Sequence, residues 1–293
     1  MKKMDLRDSL MFVISILALS LTKPISAESL KPQKNSVKEI NQSQKSPLVS
    51  TLDTSFNYKG SWFAGVGFGG MQPSIPAGFS INNGSDFDPP NNMDAFSAKW
   101  SDSYLATATV GRFWQRPSQF IPGYAFGLRY QHFFAKDITG QVMQYSLPEF
   151  TNYDYNLGAS INTLSLYTKL ELIQLGPVLP YLTGGLGLSR NHSELYEEKP
   201  LPGIVPRDNP AFAAQTKSQL TYDLGLGVDV LINPQIILSL GYAYQYFGKF
   251  STGYGQRIDW GTQRLNLGNL KANTFLLELT YLFDKKENNV FIK

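Results

Sequence analysis

Cysteine is absent from all 293 residues. That removes disulfide staples, thiolate metal sites and the acylated cysteine of a lipoprotein anchor in one step. Long apolar runs are missing too: no stretch reaches the 18 or so residues of a membrane-spanning helix, so a helical-bundle membrane protein is excluded. Charge is scarce, at 17% of residues, and nearly balanced, with a formal net charge of +3. The first 27 residues hold Lys2, Lys3, Arg7 and Lys23 against Asp5 and Asp8, which leaves the remainder almost neutral. Nothing in that balance suits a nucleic-acid partner.

What is present begins with a tripartite leader. "MKKMDLR" is a basic-leaning start, "SLMFVISILALSL" is an apolar core too short to anchor in a bilayer, and "TKPISAE" offers small residues at Ser26 and Ala27. This is the pattern of a secretory signal peptide over residues 1–27, with cleavage expected after Ala27 and export as the consequence. Residues 28–59 are rich in Lys, Ser, Gln and Asn and poor in aromatics. They hold too little apolar surface to offset their ordering entropy, so a flexible periplasmic tether is expected there.

From residue 60 onward a period of two takes over. In "KSQLTYDLGLGVDVLINPQIILSLGYAYQYF", Leu220, Tyr222, Leu224, Leu226, Val228 and Val230 share one parity, and Gln219, Thr221, Asp223, Gly225, Gly227 and Asp229 the other. Successive side chains of an extended chain point to opposite faces, so this is a hairpin of two long strands closed at Asn233 and Pro234. Comparable alternation recurs over residues 61–71, 102–114, 122–134, 161–173, 178–190 and 271–283, giving eight candidate strands. Each suffices for the roughly 9–11 tilted residues that cross a bilayer. Their connections alternate between short links (115–121, 174–177, 232–233) and long polar ones (72–101, 135–160, 191–216, 248–270).

That alternation predicts an all-β fold: an eight-stranded antiparallel transmembrane β-barrel over residues 60–283, with short periplasmic turns, long extracellular loops and a polar C-terminal tail over residues 284–293. Parity assigns the faces. Arg129, Gln131, Tyr167, Lys169, Glu171, Tyr181, Asp223, Asp229 and Glu278 fall to the lumen, with glycines making room for them. The apolar parity faces acyl chains, and Trp62, Tyr104, Trp114, Tyr124, Phe134, Tyr242, Tyr244, Tyr246, Tyr281 and Phe283 gather near strand ends as aromatic girdles. A soluble eight-stranded barrel would carry the opposite pattern, polar outside and apolar inside. Arg112 is the misfit, outward by parity and expected at the rim, where it could snorkel.

At "PYLTGGLGLS" (residues 180–189) and "FLLELTYLF" (residues 275–283) the chain resembles small outer-membrane β-barrel proteins of the OmpA-like and opacity-like superfamily. The terminal strand, with Tyr281 and Phe283, is similar to the signal read by the barrel-assembly machinery, although "DKKENNVFIK" follows it here. The resemblance implies a place in the cell outer membrane, with outer-membrane lipid, lipopolysaccharide and the assembly machinery as partners. It also implies a host or surface ligand at the loops, and roles that run from structural anchor and adhesin to small pore.

Chemistry finds less support. His192, Ser193 and Glu194 have hydrolase residue types, but adjacent positions do not supply nucleophile–base geometry, so no catalytic residue, cofactor or metal is expected. Asp86, Asp88 and Asp94 could offer oxygens to Ca²⁺ but lack an ordered ligand spacing, and a solvated loop is the expectation. Arg129, Lys169, Glu171, Asp223, Asp229 and Glu278 form the stronger constellation, because charges in a narrow channel must pair. They read as a salt-bridged plug or, alternatively, as the gate of a narrow pore for ions or small solutes. Ile75, Phe79, Phe87, Phe96, Ile204 and Phe212 are expected as exposed loop residues. With Pro200, Pro202, Pro206 and Pro210 stiffening the third loop, they suit a non-enzymatic structural or surface-interaction role.

Overall fold

The computed structural model describes residues 60–207, 212–256 and 261–283. The leader, the tether and the polar tail lie outside the described residues. Eleven strands follow one another: β1 (Ser61–Ser74), β2 (Gly78–Asn82), β3 (Met93–Ser97), β4 (Lys99–Trp100), β5 (Ser103–Gln115), β6 (Gly123–Met143), β7 (Thr151–Glu171), β8 (Val178–Pro200), β9 (Gln215–Asn233), β10 (Ile236–Ser251) and β11 (Asn266–Leu282). Eight of them close a ring in the order β1-β5-β6-β7-β8-β9-β10-β11 and back to β1, every pairing antiparallel. Closure pairs each strand on both sides, which is what a sheet needs to survive where no water can satisfy an edge.

One rim carries the tight turns. The β9–β10 link is closed by Asn233, whose Oδ1 accepts the backbone N–H of Gln235 and of Ile236, each at 2.8 Å. At the other rim the connections are long, but over much of their length they are not loops. β6 and β7 run for 21 residues each and β8 for 23, about twice the length a bilayer requires. Residues 135–160, expected as a polar loop, are therefore mostly strand, and β8 extends through residues 191–200 of the next expected loop. β3 and β4 add to the upper part of β6 where β5 has ended, pairing Ala95 with Met143 and Trp100 with Ile138. The result is an ordered extracellular head rising from the barrel.

Bulges mark where the head begins. Two residues of β6 oppose one of β7 between Phe133 and Lys136, and two of β8 oppose one of β7 between Leu157 and Ala159. An extra residue reverses which face every later side chain takes. On β6 the inward series Arg129, Gln131, Phe133 thus continues as Ile138 and Val142, all buried.

The interior is layered. An apolar cluster of Phe63, Phe113, Ala125, Tyr167, Ile237 and Leu282 closes the lumen toward the short turns. Above it lie the charged and hydroxyl-bearing residues. At the top, a larger cluster that includes Met71, Leu105, Phe133, Leu157, Ile161, Tyr196, Phe212, Phe247 and Leu270 fills the head. Only the middle of the barrel has the polar interior that parity predicts.

Candidate functional site: the plugged lumen and the extracellular head

All six expected lumen charges are inside, from 0% exposure at Asp229 to 8% at Lys169. Arg129, from β6, donates through Nη2 to Asp223 Oδ2 across the lumen from β9. Its guanidinium lies 4.7 Å from the centre of the Tyr167 ring. Lys169, from β7, sits 2.9 Å from both Asp229 oxygens and 3.1 Å from Ser239 Oγ, with the Tyr181 ring 4.3 Å away. Glu278, from β11, accepts hydrogen bonds from Thr109 Oγ1 at 2.7 Å and Thr280 Oγ1 at 3.4 Å. Glu171 lies apart, buried near the turn rim against the position of Gly123.

These groups fit because glycine faces them. A Cβ on Gly65 would stand 2.5 Å from Glu278 Oε1, and one on Gly185 would overlap the Asp223 carboxylate. The space left beside Lys169, Asp229 and Glu278 is a cavity of about 20 Å³, room for a single water. Two opposed ion pairs with an apolar layer on each side make a plug. Taking such charges out of water is costly, and their mutual hydrogen bonds offset that cost only as complete sets.

Outside, the polarity is reversed. Val66, Phe68, Val110, Leu128, Leu166, Leu186, Leu224, Leu226 and Leu277 stand 48–66% exposed around the wall, a belt that water would penalise and acyl chains accept. Toward the turn rim Trp114 stacks on Tyr124 at 5.2 Å, Tyr281 meets Phe283 at 5.0 Å, and Arg112 lies 4.7 Å from the Trp62 ring. Arg112 thus faces outward on the rim, as parity requires. At the upper edge of the belt Tyr104 stacks on Phe68 at 5.7 Å and Tyr222 on Tyr246 at 5.1 Å. Tyrosine hydroxyls there donate upward to asparagine: Tyr130 to Asn162 at 2.7 Å, Tyr242 to Asn273 at 2.8 Å and Tyr246 to Asn269 at 3.2 Å. Tyr242, Tyr244 and Tyr246 climb one strand, so they form a column rather than an arc of the girdle.

A closed ring, an apolar belt and aromatic edges decide the class of molecule. The chain folds as an outer-membrane-type β-barrel.

Solved structures of that type are similar to it. OprG from Pseudomonas aeruginosa aligns with 15% identity over 77% of this chain and 97% of that one, at a TM-score of 0.43. Neisserial surface protein A aligns with 14% identity over 76% and 97%, at 0.39. The outer-membrane protease OmpT from Escherichia coli aligns with 12% identity over 80% and 100%, also at 0.39. No family model matches the chain, and no curated protein matches it. Likenesses this distant carry no argument about activity, and the fold rests on the ring of strands itself.

The head contains a second ionic cluster that parity did not reveal. Arg207 donates to Glu198 twice, Nη2 to Oε1 at 2.7 Å and Nε to Oε2 at 2.9 Å, and its Nη1 reaches Asp94 Oδ2 at 3.5 Å. Its guanidinium lies 4.3 Å from the Tyr153 ring centre, and the Tyr196 hydroxyl donates to Glu198 Oε1 at 2.7 Å. One arginine thereby ties the third connection to the end of β8 and to the β2–β3 hairpin. Burial pushes the Tyr196 hydroxyl well above its ordinary pKa, and the neighbouring Glu198 carboxylate adds to the rise. Two oppositely charged residues 113 positions apart leave no local pattern in a sequence.

Several expectations for the head change accordingly. Asp94 is 2% exposed and turned to Arg207, Asn83 and the Tyr145 N–H, so it does not join the exposed Asp86 and Asp88. Among the described residues no cluster of three metal-ligating side chains occurs. His192 and Ser193, adjacent on β8, take opposite faces: His192 Nδ1 meets Thr216 Oγ1 at 2.8 Å, while the buried Ser193 hydroxyl donates to the Gln215 carbonyl at 3.3 Å. The expected exposed loop apolars are mostly core. Phe96 and Phe212 are buried, and Ile75, Phe79 and Ile204 pack against them. Phe87, 59% exposed, stays at the surface.

Proposed function

We propose that the protein is a non-enzymatic outer-membrane surface protein whose plugged barrel anchors a rigid contact head. The observation that carries this reading is an aromatic tip on that head. Phe87 and Phe150 are 59% and 42% exposed, and Tyr145 stands between them, 5.6 Å from one ring and 5.9 Å from the other. Val205, 79% exposed, adds apolar surface at the same end of the molecule. Exposed rings on an ordered scaffold bind at small entropic cost, because little has to be fixed on contact. The plug supports the same reading by opposing free diffusion through the lumen.

The test is adherence of cells that express the protein to immobilised host-cell and matrix surfaces, against cells expressing Phe87→Ser/Phe150→Ser at equal surface density. Adherence lost in the variant supports the tip as the contact; no gain over vector-only cells overturns the proposal. A pore remains the second reading because ion pairs can open. Steady single-channel openings from folded protein, altered by Arg129→Gln, would establish it in place of the plug.

A further inference from the structure

At the tip of the head, exposed rings coincide with charge of a single sign. Phe87 and Phe150 stand nearly at right angles to Tyr145, with interplanar angles of 84° and 82°, so edge-to-face contact leaves each phenylalanine a face clear of the tyrosine. The negative face of an aromatic ring attracts cations. Tyr145 itself is held from behind. Its backbone N–H donates to Asp94 Oδ1 at 3.0 Å, Ser146 Oγ donates to the Met93 carbonyl at 2.9 Å, and Arg207 reaches the other Asp94 oxygen at 3.5 Å.

Carboxylates border these rings. Asp86 and Asp88 flank Phe87 in the chain and Glu149 precedes Phe150, and all three acids are exposed. Each is one Cα step, about 3.8 Å, from a ring-bearing residue. Among the described residues none of the three makes an ion pair or a side-chain hydrogen bond. Residues 60–98 and 137–168, which supply both sides of the ring cluster, contain no lysine, arginine or histidine. The cations nearby are placed otherwise. Arg207 is engaged by Asp94 and Glu198, and Lys199 stands opposite the exposed Asp154. Lys99 and Lys136 lie lower on the wall, opposite Thr139 and Ala159.

Such a surface repels anionic ligands and attracts a partner that brings several cations. We propose that the aromatic tip receives a basic, extended segment of a partner protein, whose arginine and lysine side chains lie on the Phe87 and Phe150 rings and pair with Asp86, Asp88 and Glu149. This assignment rests on the tip being the contact surface and adds the class of partner. Arginine fits best, because its planar guanidinium stacks on a ring while its N–H fork meets a carboxylate. A choline headgroup also suits aromatic rings, but the phosphate beside its ammonium would enter the field of the same three carboxylates. The acids come from two separate connections, which favours several cations spaced along a chain over a single one.

The test is fluorescence anisotropy with the purified full chain in a neutral, choline-free detergent and a labelled peptide of alternating serine and arginine, against the same peptide with glutamine for arginine. The arginine peptide is expected to bind and the glutamine peptide is not. Asp86→Asn/Asp88→Asn/Glu149→Gln should weaken binding about tenfold, as the loss of three exposed charge pairs, and Phe87→Ser/Phe150→Ser should weaken it too. Glu194→Gln/Glu197→Gln, which removes exposed acids of β8 below the tip, should leave it unchanged. Every exchanged side chain is exposed, and heat-dependent gel mobility reports that each variant is folded. Equal binding by the tip-acid variant, equal weakening by the β8 variant, or displacement of the peptide by phosphocholine would each overturn the proposal. In the adherence assay, loss with the ring variant but not with the tip-acid variant would also overturn it, while leaving the tip as the contact.

Discussion

Replacing Lys169 with methionine isolates what the lumen plug contributes. The ammonium is 2.9 Å from both oxygens of Asp229, a carboxylate with 0% exposure, and 3.1 Å from Ser239 Oγ. Methionine fills similar volume and removes the charge, leaving Asp229 buried without its cation. Breaking a buried pair from one side costs about 3–5 kcal/mol. The adjoining cavity of about 20 Å³ can bring one water to the carboxylate, which places the expected loss in the lower half of that range. Urea unfolding from lipid vesicles, followed by tryptophan fluorescence and checked by heat-dependent gel mobility, measures it. The companion Lys169→Met/Asp229→Leu removes both charges and should recover most of the loss, since an apolar replacement of a whole pair is often neutral or better. A single variant within about 1 kcal/mol of the natural protein, or a double variant no better than the single, would refute the reasoning.

Arg207→Ala should loosen the head without unfolding the barrel: cleavage of intact cells by an added protease should appear at residues 201–207 while the membrane-embedded fragment survives. Arg207→Lys should fail to restore protection, because a lysine cannot donate twice to Glu198 in one plane. The raised Tyr196 pKa makes the head alkali-sensitive. Its folded value lies above the unfolded value of about 10, so its contribution is complete below that pH and is lost as pH rises toward the folded value; head cleavage that does not increase above about pH 10 would contradict this. Deleting Ala135 should reverse the upper part of β6, turning Ile138 and Val142 outward at a cost of roughly 1.5–3 kcal/mol for each side chain lost from the core. Protease sensitivity confined to the head would be the signature, and a head as resistant as the natural one would contradict the bulge.

The barrel was legible because the membrane enforces a strict period of two. Every residue from Leu220 to Val230 on the even parity faces outward, and Asp223 and Asp229 face inward, as alternation alone requires. The lumen charges were legible for the same reason: a charge on the glycine-bearing parity of a membrane strand has only the interior to occupy. What alternation could not supply was pairing across the lumen, since Arg129 and Asp223 are 94 positions apart and any of the acids could have met either cation. The head was illegible on other grounds. Polar residues in 135–160 and 191–200 read as loop, yet many are the outward half of strands whose inward half includes Ile138, Val142, Tyr153, Tyr155, Leu157 and Tyr196.

The water boundary itself is written differently in adjacent strands. Between Tyr153 and Glu171 β7 has no extra residue of its own, so its inward parity stays odd there. Below the boundary its apolar residues are the outward Leu164, Leu166 and Leu170, and above it they are the inward Tyr153, Tyr155, Leu157 and Ile161. The apolar parity therefore changes in the sequence itself, between Ile161 and Leu164, and that change marks the level where lipid gives way to water. β6 crosses the same level through its bulge, and there two reversals cancel. The environment exchanges inside for outside just as the extra residue exchanges one parity for the other. Tyr124, Phe126, Leu128 and Tyr130 look outward, and Ile138 and Val142 look inward, yet all are even. One strand thus announces the membrane surface by breaking its alternation and its neighbour conceals it by keeping alternation intact, which is why the boundary emerges only when the two are paired.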